Sequence, residues 1–140
     1  MPIQDLARED VISASPDESV HELAKQMREE TVGSIVITDD DEPVGIVTDR
    51  DLATRVLAEG EDPDDHTAED VMTEDLCMAE PETGFYQAAE MMSENGVRRL
   101  PVCNDDDELV GIITADDLTE LLADEQQQLA SIIQAQRPAY

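Results

Sequence analysis

The stretch Val44-Gly45-Ile46-Val47-Thr48-Asp49-Arg50-Asp51-Leu52 returns as Val110-Gly111-Ile112-Ile113-Thr114-Ala115-Asp116-Asp117-Leu118. An internal duplication narrows the fold more than any other feature of a sequence, because whatever the first copy forms the second must form too. In each copy a β-branched run ends in Thr-x-x-Asp-Leu and passes into a helical pattern. A hydroxyl and a carboxylate therefore stand where strand becomes helix, a place where sheet-and-helix units present ligand sites. Alone, Thr-x-x-Asp at such a place reads as an ordinary helix N-cap. Its recurrence in both copies adds the reading of a paired site.

The copies align by hand. Asp5-Leu6 matches Asp70-Val71 at an offset of 65 (70 − 5), which also carries Asp10 to Asp75, Pro16 to Pro81, Met27 to Met92 and Val32 to Val97. At Gly45 and Gly111 the offset is 66 (111 − 45), and the extra residue falls in an acidic turn. A turn whose backbone faces water absorbs an insertion at little cost. Each copy then reads alike. A short apolar run (residues 11–14 and 76–79) is stopped by Ser-Pro-Asp or Glu-Pro-Glu, and an amphipathic helix follows (18–30 and 84–95). Two apolar runs joined by Asp39-Asp40-Asp41-Glu42 or Asn104-Asp105-Asp106-Asp107-Glu108 read as a hairpin, and a last helix begins near Asp51 or Asp116.

The order β-α-β-β-α, twice, gives an α+β fold in which each half leaves apolar surface for the other. The organisation is a first repeat with its polar linker (1–67), a second repeat (68–124) and a C-terminal helical tail (125–140). In the tail, Leu129, Ile132 and Ile133 form an apolar stripe. It suits either a helix folded back on its own unit or a contact with a second protein.

Charge restricts the partners. With 36 acidic against 8 basic residues the net charge is −28, and Lys25 is the only lysine. Such a chain repels itself, and the repulsion shrinks as the Debye length falls to about 3 Å near 1 M salt. The composition resembles that of cytoplasmic proteins from salt-accumulating microbes, with a halophilic archaeon the expected source. No basic run is present to displace counterions from nucleic acid, and 2% aromatic residues provide no stacking platform. Neither a signal peptide nor an apolar span is present, so a cytoplasmic protein without a membrane partner is expected. Cys77 and Cys103 lack metal or redox spacing and read as buried free thiols. The acidic turns lack the glycine and spacing of a calcium loop, and His21 and His66 stand isolated, so no metal is expected.

The β-α-β-β-α order, Ser15-Pro16-Asp17-Glu18-Ser19-Val20, Gly96-Val97-Arg98-Arg99-Leu100-Pro101-Val102 and the two Gly-x-x-Thr-x-x-Asp-Leu closes resemble a tandem pair of CBS domains. The resemblance to this Bateman module covers residues 5–124. It implies two repeats packed about a pseudo-twofold axis. It also implies a regulatory module that binds AMP, ADP, ATP or S-adenosylmethionine in clefts between the repeats and acts in trans on an unidentified protein. By the same resemblance the module pairs as a homodimer, a flat disc of two such chains. Asp51 with Thr48, and Asp117 with Thr114, would hold ribose. The adenine wall would be Thr73, Leu76, Cys77 and Val97 opposite Asp51, and Val11, Ile12 and Val32 opposite Asp117.

Phosphates in that family meet basic side chains after the helix, which here are Arg98 and Arg99 where the first copy has Gly33 and Ser34. These arginines suit either a bidentate phosphate clamp or surface ion pairing. Arg50 is open to the same two readings. The Asp51 cleft is accordingly the expected nucleotide site, and Arg8, where Thr73 stands in the other copy, sets the Asp117 cleft apart. A ligand-free interaction module is the alternative to a sensor. An enzyme is not expected, since the sequence offers no nucleophile-base pair and no phosphate-cradling glycine loop.

Overall fold

The structure, a computed structural model, describes residues 2–136, so the last four residues of the expected tail lie outside the described residues. The first unit runs β1 (Ser13–Ala14), α1 (Val20–Glu30), β2 (Ser34–Asp39), β3 (Glu42–Thr48) and α2 (Asp49–Asp51), which continues as a π-helical stretch, Leu52–Leu57. After a short α3 (Ala68–Val71) the second unit runs α4 (Phe85–Asn95), β4 (Arg99–Cys103), β5 (Leu109–Thr114) and α5 (Ala115–Ala135). β1 lies parallel to β2, and β2–β3 and β4–β5 are antiparallel hairpins. The expected strand over 76–79 is reduced to a single parallel bridge from Ala79 to Val102. Its run Leu-Cys-Met-Ala contains no β-branched residue, whereas the first copy opens on Val11-Ile12.

Local sequence accounts for the elements. The Ser19 hydroxyl accepts from Glu22 N–H at 3.1 Å to start α1, which buries Val20, Leu23 and Met27 at helical spacing. α1 stops at Thr31 and α4 at Gly96, both left-handed (φ 56° and 63°). Glycine takes that conformation freely, whereas β-branched Thr31 is strained there. The first hairpin turns on Asp40 and Asp41, both at positive φ (52° and 66°), the two-residue geometry that follows strand twist. In the second hairpin Asn104 N–H donates to Glu108 O at 3.0 Å, which closes a three-residue loop, one longer than the first, whose last member, Asp107, sits at φ 61°.

Each unit completes its core with a segment from the other half. Ala68 and Val71 are buried with Leu23, Ile35, Ile37 and Val47 of the first unit. Ile3 is buried with Ala88, Leu100, Val102 and Ile113 of the second. The backbone seals the exchange. Thr73 N–H donates to Ile46 O at 2.9 Å and Ile46 N–H returns to Thr73 O at 3.1 Å, while Arg8 and Ile112 exchange the same pair at 2.9 and 3.0 Å. The repeated glycine admits the crossing segment. A Cβ on Gly45 would collide with Met72, and one on Gly111 would stand 3.2 Å from Arg8 O.

α5 continues without a break to Ala135, and every residue from 122 to 136 is exposed, so the tail does not fold back on its own unit. Among the described residues no helix is long and apolar enough to cross a membrane.

Candidate functional site

The pseudo-twofold packing opens two clefts, each lined from both units. The first has a volume of about 300 Å³. Ile46, Thr48, Asp49, Arg50 and Asp51 come from the end of β3 and the start of α2, Thr73 from the crossing segment, and Gly96 to Arg99 from the end of α4 and the start of β4.

Thr48 and Asp51 form a reciprocal cap. Asp51 N–H donates to Thr48 Oγ1 at 3.2 Å, and Thr48 N–H donates to Asp51 Oδ2 at 2.9 Å. The N-cap reading and the site reading of Thr-x-x-Asp are therefore compatible. The cap fixes both side chains, leaves the Thr48 hydroxyl proton to donate, and commits one carboxylate oxygen of Asp51. The other oxygen lies 3.7 Å from Arg55 Nε. Arg55 is itself held from behind, donating to Val71 O at 2.8 Å and to Thr73 Oγ1 at 3.5 Å.

The cations are distributed unevenly. Arg98 pairs with Asp116 at 3.4 Å, an exposed contact of the kind that contributes little. Arg50 and Arg99 make no ion pair among the described residues. In a chain with 36 carboxylate side chains, two unpaired guanidiniums lining one cavity stand out.

The second cleft, about 230 Å³, is the pseudo-symmetric counterpart. Val11, Ile12, Val32 and Thr114 line it, together with Arg8, Asp10, Asp116 and Arg99. Asp117 is not among its lining residues. Its Oδ1 is taken by Arg8 at 3.1 Å and its Oδ2 accepts from Thr114 N–H at 3.0 Å. Arg8 thus takes the Asp117 oxygen at 3.1 Å, a closer hold than that of Arg55 on Asp51 at 3.7 Å, and its counterpart Thr73 carries no charge to do the same.

Of the residues expected opposite Asp51, Thr73, Val97, Arg98 and Arg99 line the first cleft, while Leu76 and Cys77 do not. Cys77 packs against the second core instead. Cys103 is buried, and that burial, with the nearby Asp107 and Glu42 carboxylates, pushes its thiol up, which keeps it protonated and inert. Ile46 and Ile112 were missed as lining residues, although each stands two residues before its Thr and so shares a strand face with it. The reach of Arg99 into both clefts carried no sequence signal, because it depends on how the units pack.

The family model described as CBS domain matches residues 3–58 and 68–124. An uncharacterised protein of Methanopyrus kandleri, MK0525, is 39% identical over 120 residues, 85% of this chain and 61% of the relative's own length. The CBS domain-containing protein YhcV of Bacillus subtilis is 33% identical over 83% of this chain and 81% of its own. Inosine-5′-monophosphate dehydrogenase of Methanocaldococcus jannaschii is 36% identical over 78% of this chain, which spans only 21% of that enzyme. Among solved structures, the CBS domain pair of protein MJ0100 in complex with 5′-methylthioadenosine and S-adenosyl-L-methionine superposes with a TM-score of 0.81. It is 27% identical and covers 89% of this chain and 98% of its own.

Proposed function

Since the chain belongs to the CBS-domain family, in which pairs of units serve as regulatory ligand-sensing modules, we propose that it senses an adenosine-containing ligand bearing phosphate, with AMP the simplest example. The carrying observation is the first cleft. It joins a rigid carboxylate and hydroxyl from one unit to an apolar wall and guanidiniums from the other. A carboxylate accepts from vicinal ribose hydroxyls, and charge-assisted bonds of this kind are about twice as strong as neutral ones. Ile46 and Val97 offer the apolar surface for a base, and Arg50, Arg98 and Arg99 offer the donors for phosphate. The MJ0100 pair, crystallised with two adenosine derivatives, supports the nucleoside half of this reading; the arginines support the phosphate half. The response would be read by a partner protein in the cytoplasm.

A homodimer is part of the proposal. Residues 126–136 contain no charged side chain, although 31% of the chain is charged, and Leu129, Ile132 and Ile133 are exposed along that stretch. Two copies of a chain at −28 repel each other, so a self-contact must be made where charge is missing. A basic partner would favour the reverse, a carboxylate-rich face.

The deciding experiment is calorimetric titration in molar KCl with AMP and 2′-deoxy-AMP, on the natural chain and on Asp51→Ala. The natural chain should prefer AMP, and Asp51→Ala should bind AMP on the order of tenfold or more weakly and lose the preference for the 2′-hydroxyl. Undiminished AMP affinity in Asp51→Ala sinks the reading. A ligand-free interaction module would show no binding and no thermal shift, whereas ligand at 100 times its Kd should add about 2.7 kcal/mol.

A further inference from the structure

The two clefts have one side chain in common. Arg99, at the start of β4, lines both of them. Its counterpart at the offset of 65 is Ser34, so where symmetry would supply two cations the chain supplies one. The partition between the clefts passes through Gly33 and Asp49. A Cβ built on Gly33, which lines the second cleft, would stand 3.4 Å from Arg99 Nη2 and 3.3 Å from Oδ2 of Asp49, which lines the first. The Arg99 guanidinium therefore lies beside Gly33 on the second-cleft side.

The other cations are confined. Arg50 and Arg98 line the first cleft alone, and Arg8 lines the second with its guanidinium spent on Asp117 at 3.1 Å. Among the described residues Arg99 is therefore the one unpaired cation lining the second cleft, where Asp10 is a free carboxylate and Asp116 is already paired with Arg98 at 3.4 Å.

We propose that Arg99 is a guanidinium shared by the two clefts, so that an anionic ligand in the first weakens binding of an anionic ligand in the second. The proposal rests on the adenosine reading above and adds its regulation. Arg99 turned towards a phosphate in the first cleft leaves the second with the Asp10 carboxylate, the Arg98–Asp116 pair and a committed Arg8, and the first anion adds its own repulsion. A neutral nucleoside makes no demand on Arg99 and fills the clefts independently. Coupling of this kind is reciprocal, so phosphate in the second cleft draws Arg99 away from the first by the same factor.

Calorimetric titration of the full chain in molar KCl with AMP, and separately with adenosine, tests this. AMP should bind in two steps, the second weaker by on the order of ten- to a hundredfold, the worth of one charge-assisted hydrogen bond. Unequal but independent clefts would also give two steps, so the variant Asp51→Asn decides between them. It removes two charge-assisted bonds to ribose, weakening the first cleft by on the order of a hundredfold or more, while keeping an acceptor for Thr48 N–H. Sharing predicts that the remaining AMP site tightens by that same factor relative to the second step of the natural chain, because Arg99 is released. Independence predicts no change, and no change overturns the proposal. In Arg99→Gln, at a half-exposed position, the gap between the AMP steps should narrow to the gap seen with adenosine; an unaltered gap also overturns it. Absence of binding by AMP and adenosine alike removes the adenosine reading itself. Two equal AMP sites remove only the sharing.

Discussion

Ile3 belongs to the segment that precedes the first unit in the sequence. In this fold it is fully buried in the second core, and its backbone N–H donates to Thr83 O at 2.8 Å. Ile3→Ala removes three carbons, a transfer loss of about 2.4 kcal/mol at ~0.8 kcal/mol each. Leu100 and Ile113 are rigidly placed across a strand pair and collapse little into the gap, so a cavity penalty brings the expected cost to about 3–4 kcal/mol. Against a total stability of about 5–15 kcal/mol this is a large fraction. At roughly 4 °C per kcal/mol for a chain of this size the melting temperature should fall by about 12–16 °C. The assay is thermal unfolding by circular dichroism in molar KCl. Leu57→Ala, at a side chain 80% exposed, serves as the control, with an expected change within about 0.5 kcal/mol. A fall of less than about 3 °C in Ile3→Ala would refute the account, because it would mean that the second unit closes its core without the opening segment of the chain.

Three other outcomes are expected. With a net charge of −28, the melting temperature should rise between dilute buffer and molar KCl, and a melt indifferent to salt would remove the self-repulsion argument. His66 Nε2–H donates to Glu61 Oε2 at 3.0 Å and Nδ1 lies 3.6 Å from Asp70, and the Glu61 hydrogen bond, aided by both carboxylates, raises its pKa above 6.5. Its contribution to stability is therefore complete below 6.5 and lost as pH rises through the raised value, so the melting difference between the natural chain and His66→Gln should shrink from pH 6 to pH 8.5. Asp70, lowered below 3.8 chiefly by the Thr67 backbone hydrogen bond, acts in the opposite sense: its contribution is complete above 3.8 and lost as pH falls through the lowered value. Finally, Leu129→Glu with Ile133→Glu should convert a dimer to a monomer in light scattering without lowering the melting temperature of the units, since both side chains are exposed (60% and 69%); a mass that does not change would move the contact elsewhere.

What the sequence disclosed and what it hid divide along one physical line. Patterns within a unit were legible: helical spacing gave α1 and α4, the acidic turns gave the hairpins, and the one-residue change of offset marked the difference between a two-residue and a three-residue loop. Thr48 and Asp51 could be singled out because the chemistry of a cap is local, three residues apart. Features that depend on how the units pack were not legible in local pattern, and the placing of Thr73, Val97, Arg98 and Arg99 at the Asp51 cleft came from the family resemblance alone. The burial of Ile3 in one core and Ala68 in the other is written only faintly, in the match of Asp5-Leu6 to Asp70-Val71 ahead of each unit. Leu76 and Cys77 share the segment that follows Thr73 but not its position on the cleft, because the chain leaves the edge of β3 after the Thr73–Ile46 pair.

The exchange that hides these residues also explains why such a cleft suits a sensor. Thr73 and Arg8 sit in the two clefts because the segments that carry them cross to the opposite unit, each over its glycine. A ligand in the first cleft would touch Thr48 and Asp51 on one side and Val97 and Arg99 on the other, so its binding free energy depends on how the units are set against each other. A ligand shifts an equilibrium only by its differential affinity for the two arrangements. Affinity built from both units is differential with respect to their packing, whereas a pocket inside one unit would leave that packing untouched. A ligand held by both units would therefore couple its occupancy to their packing, and the exposed stripe of α5 belongs to the same helix that begins at the Thr114–Asp117 cap.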